Sequence, residues 1–201
     1  MQGKGPEKSA RTRGLSSKLH RTVALVGMMG SGKTAVGTEV ARRLGVPFLD
    51  SDREIERAAN ATIAEIFARD GEPFFRERET AVLHRLLHGT PCILSTGGGA
   101  FLAEANRAMI EADGVALWLD AAVDLLWSRV KHKTTRPLLM TDNPRRTLGE
   151  IFERRVPIYA LAGLRVAVRP GASIAETAAQ VIDVLKSRPD VVSDDGTTED
   201  S

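Results

Sequence analysis

Cysteine is nearly absent: Cys92 is the single one in 201 residues, so no disulfide can form within the chain. It lies inside the apolar run Cys92-Ile93-Leu94 and reads as a buried, inert thiol in a reducing cytoplasm. No apolar run approaches the roughly 18 residues of a membrane span, and no secretory signal pattern opens the chain. A cytoplasmic protein without a membrane partner is therefore expected. Net charge is also nearly absent, at +2, and singles out no charged partner. His84 and His88 have the spacing of a zinc pair, but without an HExxH pattern or a third ligand they read as ordinary helix residues. What is present is an apolar fraction of 42%, enough for the packed core of one domain.

The small total charge conceals opposite ends. Residues 1–21 carry Lys4, Lys8, Arg11, Arg13, Lys18 and Arg21 against Glu7, and residues 187–201 carry Asp190, Asp194, Asp195, Glu199 and Asp200 against Arg188. Both stretches are poor in large apolar side chains and are expected to be flexible tails. A basic arm can bind nucleic acid, but no aromatic residues interleave this one, so no nucleic-acid partner is expected. The domain is then bounded at 22–186.

Within it, Gly27-Met28-Met29-Gly30-Ser31-Gly32-Lys33-Thr34 fits the P-loop pattern that wraps nucleoside triphosphate phosphates. Gly27, Gly30 and Gly32 allow backbone angles that turn successive N–H groups onto an anion. Lys33 brings a mobile positive charge to the β- and γ-phosphates, and the Thr34 hydroxyl is a hard oxygen ligand for Mg²⁺. The flanks agree: Arg21 to Val26 reads as a buried strand, and Val36, Val40, Ala41 and Leu44 give one helical apolar face.

Strand patterns recur at Val46–Asp50, Cys92–Thr96, Val115–Leu119 and Arg165–Val168, with helical patterns between them. Such alternation implies a parallel sheet with helices on both faces. Asp50-Ser51-Asp52 falls at the end of the second strand, the edge where such sheets bind ligands. Its carboxylates can serve a metal and a substrate, or Asp52 can cap the next helix, or Ser51 and Glu54 can form a capping box. Thr62-Ile63-Ala64-Glu65 is a further capping box, Asp70-Gly71 closes its helix, and Pro73 starts another. There, Arg76 and Glu79 fit a solvated ion pair as well as a grip on an anion. Ser95-Thr96-Gly97-Gly98-Gly99 follows the third strand, and its bare backbone suits a ligand lying against it. Residues 131–143 form a polar stretch long enough for a mobile cover.

Taken together, GMMGSGKT, FLDSD, FFRERE, STGGG, RPLL and RVPIY, in this order over roughly residues 22–186, resemble the shikimate kinase family. The resemblance implies a three-layer α/β/α P-loop kinase fold with a five-stranded parallel sheet, a substrate-binding segment at about 51–80 and a lid at about 131–143. It implies a monomer that transfers the γ-phosphoryl of ATP to the 3-hydroxyl of shikimate, on the route to chorismate and aromatic amino acids, using one Mg²⁺ per subunit.

By position, Gly30, Ser31, Gly32, Lys33, Thr34 and Ala35 would hold ATP. Thr34 would ligate Mg²⁺, with Asp50 supporting the ion's waters. Asp52 would bind the ring hydroxyls and act as base. Arg76 and Arg155 would grip the shikimate carboxylate, a role suited to their planar forks, beside the backbone of Gly98 and Gly99. Arg136 would meet the transferring phosphate from the lid, and Arg129 would lie near the adenine. Two rivals stand beside this: another small-metabolite kinase such as a gluconate kinase, and a nucleotide-dependent binding module.

Overall fold

The computed structural model describes residues 17–132 and 137–194. The strands are β1 (Ser17–Leu19), β2 (Thr22–Val26), β3 (Phe48–Asp50), β4 (Ile93–Ser95), β5 (Gly114–Ala121), β6 (Leu164–Val168) and β7 (Val192–Asp194). The helices are α1 (Lys33–Leu44), α2 (Ser51–Ala59), α3 (Ile63–Leu87), α4 (Glu104–Asp113), α5 (Val123–Val130), α6 (Pro144–Tyr159) and α7 (Ile174–Lys186). Five strands form one sheet in the order β3-β4-β2-β5-β6, every pairing parallel. Successive strand residues point to opposite faces, and every residue of β2 and β4 is buried. The sheet is therefore covered on both faces, as expected. The chain runs β2, β3, β4 to one side of the centre and then crosses to β5 and β6, so the crevice beyond the carboxyl end of β2 is the natural ligand site.

Local chemistry sets the helix limits. α1 is stacked on α7 and β4 through Val36, Val40, Ala41 and Leu44, all buried. α3 opens on the expected capping box, in which Glu65 N–H donates to Thr62 Oγ1 at 3.2 Å and Thr62 N–H donates to Glu65 Oε2 at 2.7 Å. It breaks at Gly71, where φ is 80°, and resumes around Pro73, so Asp70-Gly71 does end one helix and begin the next. A 3-10 turn at Pro137–Leu139 lies within the expected lid. Arg136 and the rest of 133–136 lie outside the described residues.

The expected tail boundaries are corrected. β1 and β7 pair antiparallel, Ser17 with Asp194 and Leu19 with Val192. Leu19, Val191 and Val192 join the hydrophobic core. His20 Nε2 lies 2.7 Å from Ser193 Oγ, and the Arg21 guanidinium donates to the carbonyls of Glu111 and Ala112 at the end of α4. These last carbonyls have no partner within their helix, which gives Arg21 its structural use. Two short strands were invisible as strands in the sequence because each is three residues long and its partner lies at the other end of the chain. Truncation after Ser187 is expected to remove two buried valines and lower the melting temperature by roughly 6–24 °C, taking about 1.5–3 kcal/mol per buried side chain and about 2–4 °C per kcal/mol for a chain of this size. A melting temperature within about 1 °C of the full chain would show that the second sheet contributes nothing.

Candidate active site

The P-loop bridges β2 and α1. Gly27, Gly30 and Gly32 have φ of 135°, 84° and 102°, the region that side chains other than glycine avoid. Gly32 is the N-cap of α1 and, having no side chain, makes no capping bond. The first N–H groups of α1 therefore remain for an anion at the positive end of the helix. Lys33 Nζ curls back over the loop and donates to the carbonyls of Gly27 at 2.8 Å and Met28 at 3.1 Å. From α5, Arg129 Nη1 donates to the carbonyls of Gly30 at 3.1 Å and Ser31 at 3.2 Å. It thus braces the outer side of the same loop.

Next to Lys33, Thr34 Oγ1 donates to Asp50 Oδ2 at 3.2 Å and lies 3.4 Å from Ser95 Oγ. The ends of β3 and β4 and the start of α1 therefore present three oxygen-bearing side chains at one point. Asp50 also works through its other oxygen, Oδ1, which accepts the N–H groups of Asp52 at 3.1 Å and Arg53 at 3.4 Å and so caps α2. Both capping alternatives raised by the sequence are corrected by this. Ser51 Oγ instead accepts the N–H of Gly97 at 3.1 Å. The Asp52 carboxyl is left with no cap to make. Burial, followed by the nearby charges of Asp50 and Glu79, pushes it up to about 6, against the pull of Lys33.

The three glycines of the next loop have a use that their sequence did not reveal. A Cβ on Gly97 would lie 2.5 Å from Asp52 Oδ1 and 3.2 Å from Glu79 Oε1, and one on Gly99 would overlap the Arg76 guanidinium. Bare backbone is thus required by the protein's own charged side chains, before any ligand is considered. Arg76 is also held by Glu79 at 2.8 Å and by Glu72 at 3.0 Å, so the ion pair expected on that helix exists as well. Burial raises the Glu79 carboxyl above its usual range, and Arg76 offsets this only in part. From α6, Arg155 Nη1 and the Tyr159 hydroxyl both donate to the Gly98 carbonyl.

A cavity of about 570 Å³ runs along this edge. Gly30 to Ala35, Asp50, Asp52, Gly97, Gly98 and Arg129 all line it, so these expected residues are brought together. Arg76, Gly99 and Arg155 border it across the glycine loop rather than line it. Sequence reasoning did not single out Ser95, or Ala172, Ile174 and Thr177, which close the far end. Ser95 could have been found from its place in STGGG. The far-end residues carry no local signal, being a turn and one face of an ordinary amphipathic helix.

The family model described as "Shikimate kinase" matches residues 29–186. The shikimate kinase of Cereibacter sphaeroides is 61% identical over 183 residues, 91% of this chain and 92% of its own length. That of Ruegeria pomeroyi is 59% identical over 89% of this chain and 92% of its own length. The chain belongs to the shikimate kinase family. It shares in consequence the family's ATP-dependent phosphotransferase chemistry. Among solved structures, shikimate kinase from Acinetobacter baumannii in complex with shikimate superposes with a TM-score of 0.78 at 39% identity, covering 83% of this chain and 93% of that one. A gluconokinase from Sinorhizobium meliloti has a TM-score of 0.52 at 16% identity. That likeness shows a shared fold alone.

Proposed function

We propose that this protein transfers the γ-phosphoryl group of ATP to the 3-hydroxyl of shikimate, yielding shikimate 3-phosphate and ADP. The observation that carries the reading is the convergence of Arg76, Arg155 and half-buried Asp52 on the Gly97–Gly99 loop, beside the P-loop. Two guanidinium forks beside the Asp52 carboxyl group suit a small polyol that bears a carboxylate. Gluconate also carries a carboxylate, so the acceptor must be tested directly. ADP release is measured with shikimate, quinate and gluconate in turn, and shikimate is expected to exceed both alternatives at least a hundredfold. Equal turnover of gluconate would overturn the assignment.

Phosphoryl transfer is catalysed mostly by positioning and by charge stabilisation. In this reading the α1 N-terminus and Lys33 hold the phosphates, and Arg76 and Arg155 hold the acceptor's carboxylate. Asp52 accepts hydrogen bonds from the ring hydroxyls and takes the proton of the attacking one. Arg136 meets the transferring group from a lid at 131–143. Arg129 supports the loop and the adenine side.

The donor set suits Mg²⁺. Thr34 and Asp50 offer hard oxygens, and among the described residues no group of three or more His, Cys, Asp or Glu is placed to enclose a metal. Mg²⁺ keeps several waters and takes few protein ligands. When bound, it would neutralise phosphate charge. We read the enzyme as a cytoplasmic monomer whose partners are its small substrates, without nucleic acid or membrane. The buried free thiol of Cys92 is consistent with a reducing compartment.

The glycine loop supplies a further prediction. Gly99→Ala places a methyl group where the Arg76 guanidinium lies, and Arg76 must move to make room. The shikimate KM is expected to rise roughly tenfold or more, about the cost of one misplaced charged hydrogen bond. ADP affinity should stay within twofold, since Gly99 does not line the P-loop cavity. Parallel losses for both ligands would point instead to general disruption of the sheet edge.

A further inference from the structure

We infer that Tyr159 is a positioning residue for the acceptor site: by holding the Gly98 carbonyl, it leaves the Arg155 guanidinium available to an anionic substrate. This rests on the reading of Arg155 as a carboxylate grip. Arg155 and Tyr159 stand four residues apart on α6, on one face of the helix. Both donate to the same acceptor. Arg155 Nη1 is 3.5 Å from Gly98 O, at the outer limit of a hydrogen bond, whereas the Tyr159 hydroxyl makes a short one. Tyr159 is fully buried. Burial raises its pKa, and the Arg155 charge and a hydrogen bond from Arg155 to the hydroxyl oppose this only in part, so the phenol remains a donor at neutral pH.

The difference between the two donors has a consequence for binding. A carbonyl at the wall of the cavity needs a donor, and losing its last one costs a desolvation penalty. With Tyr159 in place, Arg155 can turn from Gly98 to an arriving carboxylate while the carbonyl stays bonded. Without the hydroxyl, Gly98 O would hold on to Arg155, and substrate would compete with the protein for the same guanidinium. The hydroxyl also fixes the one peptide between neighbours that the backbone already holds, since Ala100 N–H donates to the Gly97 carbonyl and Leu102 N–H to the Gly99 carbonyl. Gly98 and Gly99 have no side chains to anchor them, and in a trans peptide the C=O and the following N–H point in opposite directions. Pinning Gly98 O thus sets the direction of the Gly99 N–H.

The test compares Tyr159→Phe, Arg155→Lys and the double variant by the Kd for shikimate without nucleotide, with the Kd for ADP and the melting temperature alongside. Phe keeps the buried ring and removes the donor. Tyr159→Phe is expected to weaken shikimate roughly fivefold, the usual worth of a hydrogen bond, with ADP binding within twofold. In the Arg155→Lys background its effect should shrink to within twofold, because contacting groups couple. An unchanged shikimate Kd in Tyr159→Phe, while Arg155→Lys is impaired, would overturn the positioning role. Equal losses for shikimate and ADP, or a fully additive double variant, would likewise reduce Tyr159 to a packing residue. Normal shikimate binding by Arg155→Lys would instead overturn the carboxylate grip, and the inference with it. Because Tyr159 is the only tyrosine in the chain, ultraviolet resonance Raman reads its hydroxyl in the unmodified protein. The donor signature should persist when shikimate saturates the site, and its loss would contradict the proposal.

Discussion

Lys33→Met is expected to fold much as the wild type does, yet to transfer phosphate at least roughly 10²–10³-fold more slowly. That range is the usual loss when one preorganised charge stabiliser is removed. Lys33 is half-buried, and its ammonium bonds to the carbonyls of Gly27 and Met28. Those bonds are worth about 1–3 kcal/mol together, so a fall of about 12 °C in melting temperature is the most that stability should show. Methionine keeps the length of the stem and deletes the charge. The loss should therefore fall on the chemical step, where negative charge is gathered on the phosphates, more than on folding. Single-turnover transfer alongside a thermal melt separates the two. Activity within tenfold of wild type in a folded Lys33→Met protein would remove this lysine from the mechanism.

Asp52→Asn should be nearly as damaging, by about a hundredfold or more, as for removal of a general base. The geometry makes this variant cleaner than the sequence suggested. Asp50, not Asp52, caps α2, so the amide disturbs no helix end. Asp52 is half-buried, and burial first, then the like charges of Asp50 and Glu79, raises its pKa. Neutralising it removes repulsion, and the melting temperature should hold or rise slightly. The amide still offers one oxygen to a ring hydroxyl, and Arg76 and Arg155 still hold the carboxylate. Shikimate binding should therefore weaken less than turnover falls, with ADP binding intact. Transfer close to the wild-type rate, with both substrates saturating, would move the acceptor-activating role away from Asp52.

These two residues differ in how far the sequence revealed them. The P-loop was legible in full because its requirements are local: three glycines, a lysine and a threonine within eight consecutive positions, between a strand and a helix. Its predicted helix face, Val36 to Leu44, packs as read. Asp50 and Asp52 could not be sorted, since the cap depends on extended backbone at Asp50, with φ −125° and ψ 117°, and on where one carboxylate oxygen points. Arg76 was legible as the partner of Glu79, three residues away on the same helix. Its packing against Gly99 comes from a different element, and no spacing within α3 records it. The glycine triplet signalled close approach, but the approaching groups are Asp52, Glu79 and Arg76 themselves. Tyr159 was legible only as the last residue of RVPIY, and its contact was not: its ring belongs to the buried face of α6, while its hydroxyl reaches a carbonyl 61 residues earlier. The β1–β7 pair failed for the same reason at greater range, its register set by contacts across nearly the whole chain.

The central claim, transfer from ATP to one hydroxyl of shikimate by the site around the Gly97–Gly99 loop, is tested most directly by identifying the product. Enzyme, ATP, Mg²⁺ and shikimate are incubated to completion and followed by phosphorus NMR with proton coupling. The account predicts one new phosphate ester whose phosphorus couples to the ring proton on carbon 3, formed in step with ADP. An ester at another hydroxyl, or inorganic phosphate and ADP without any ester, would contradict it.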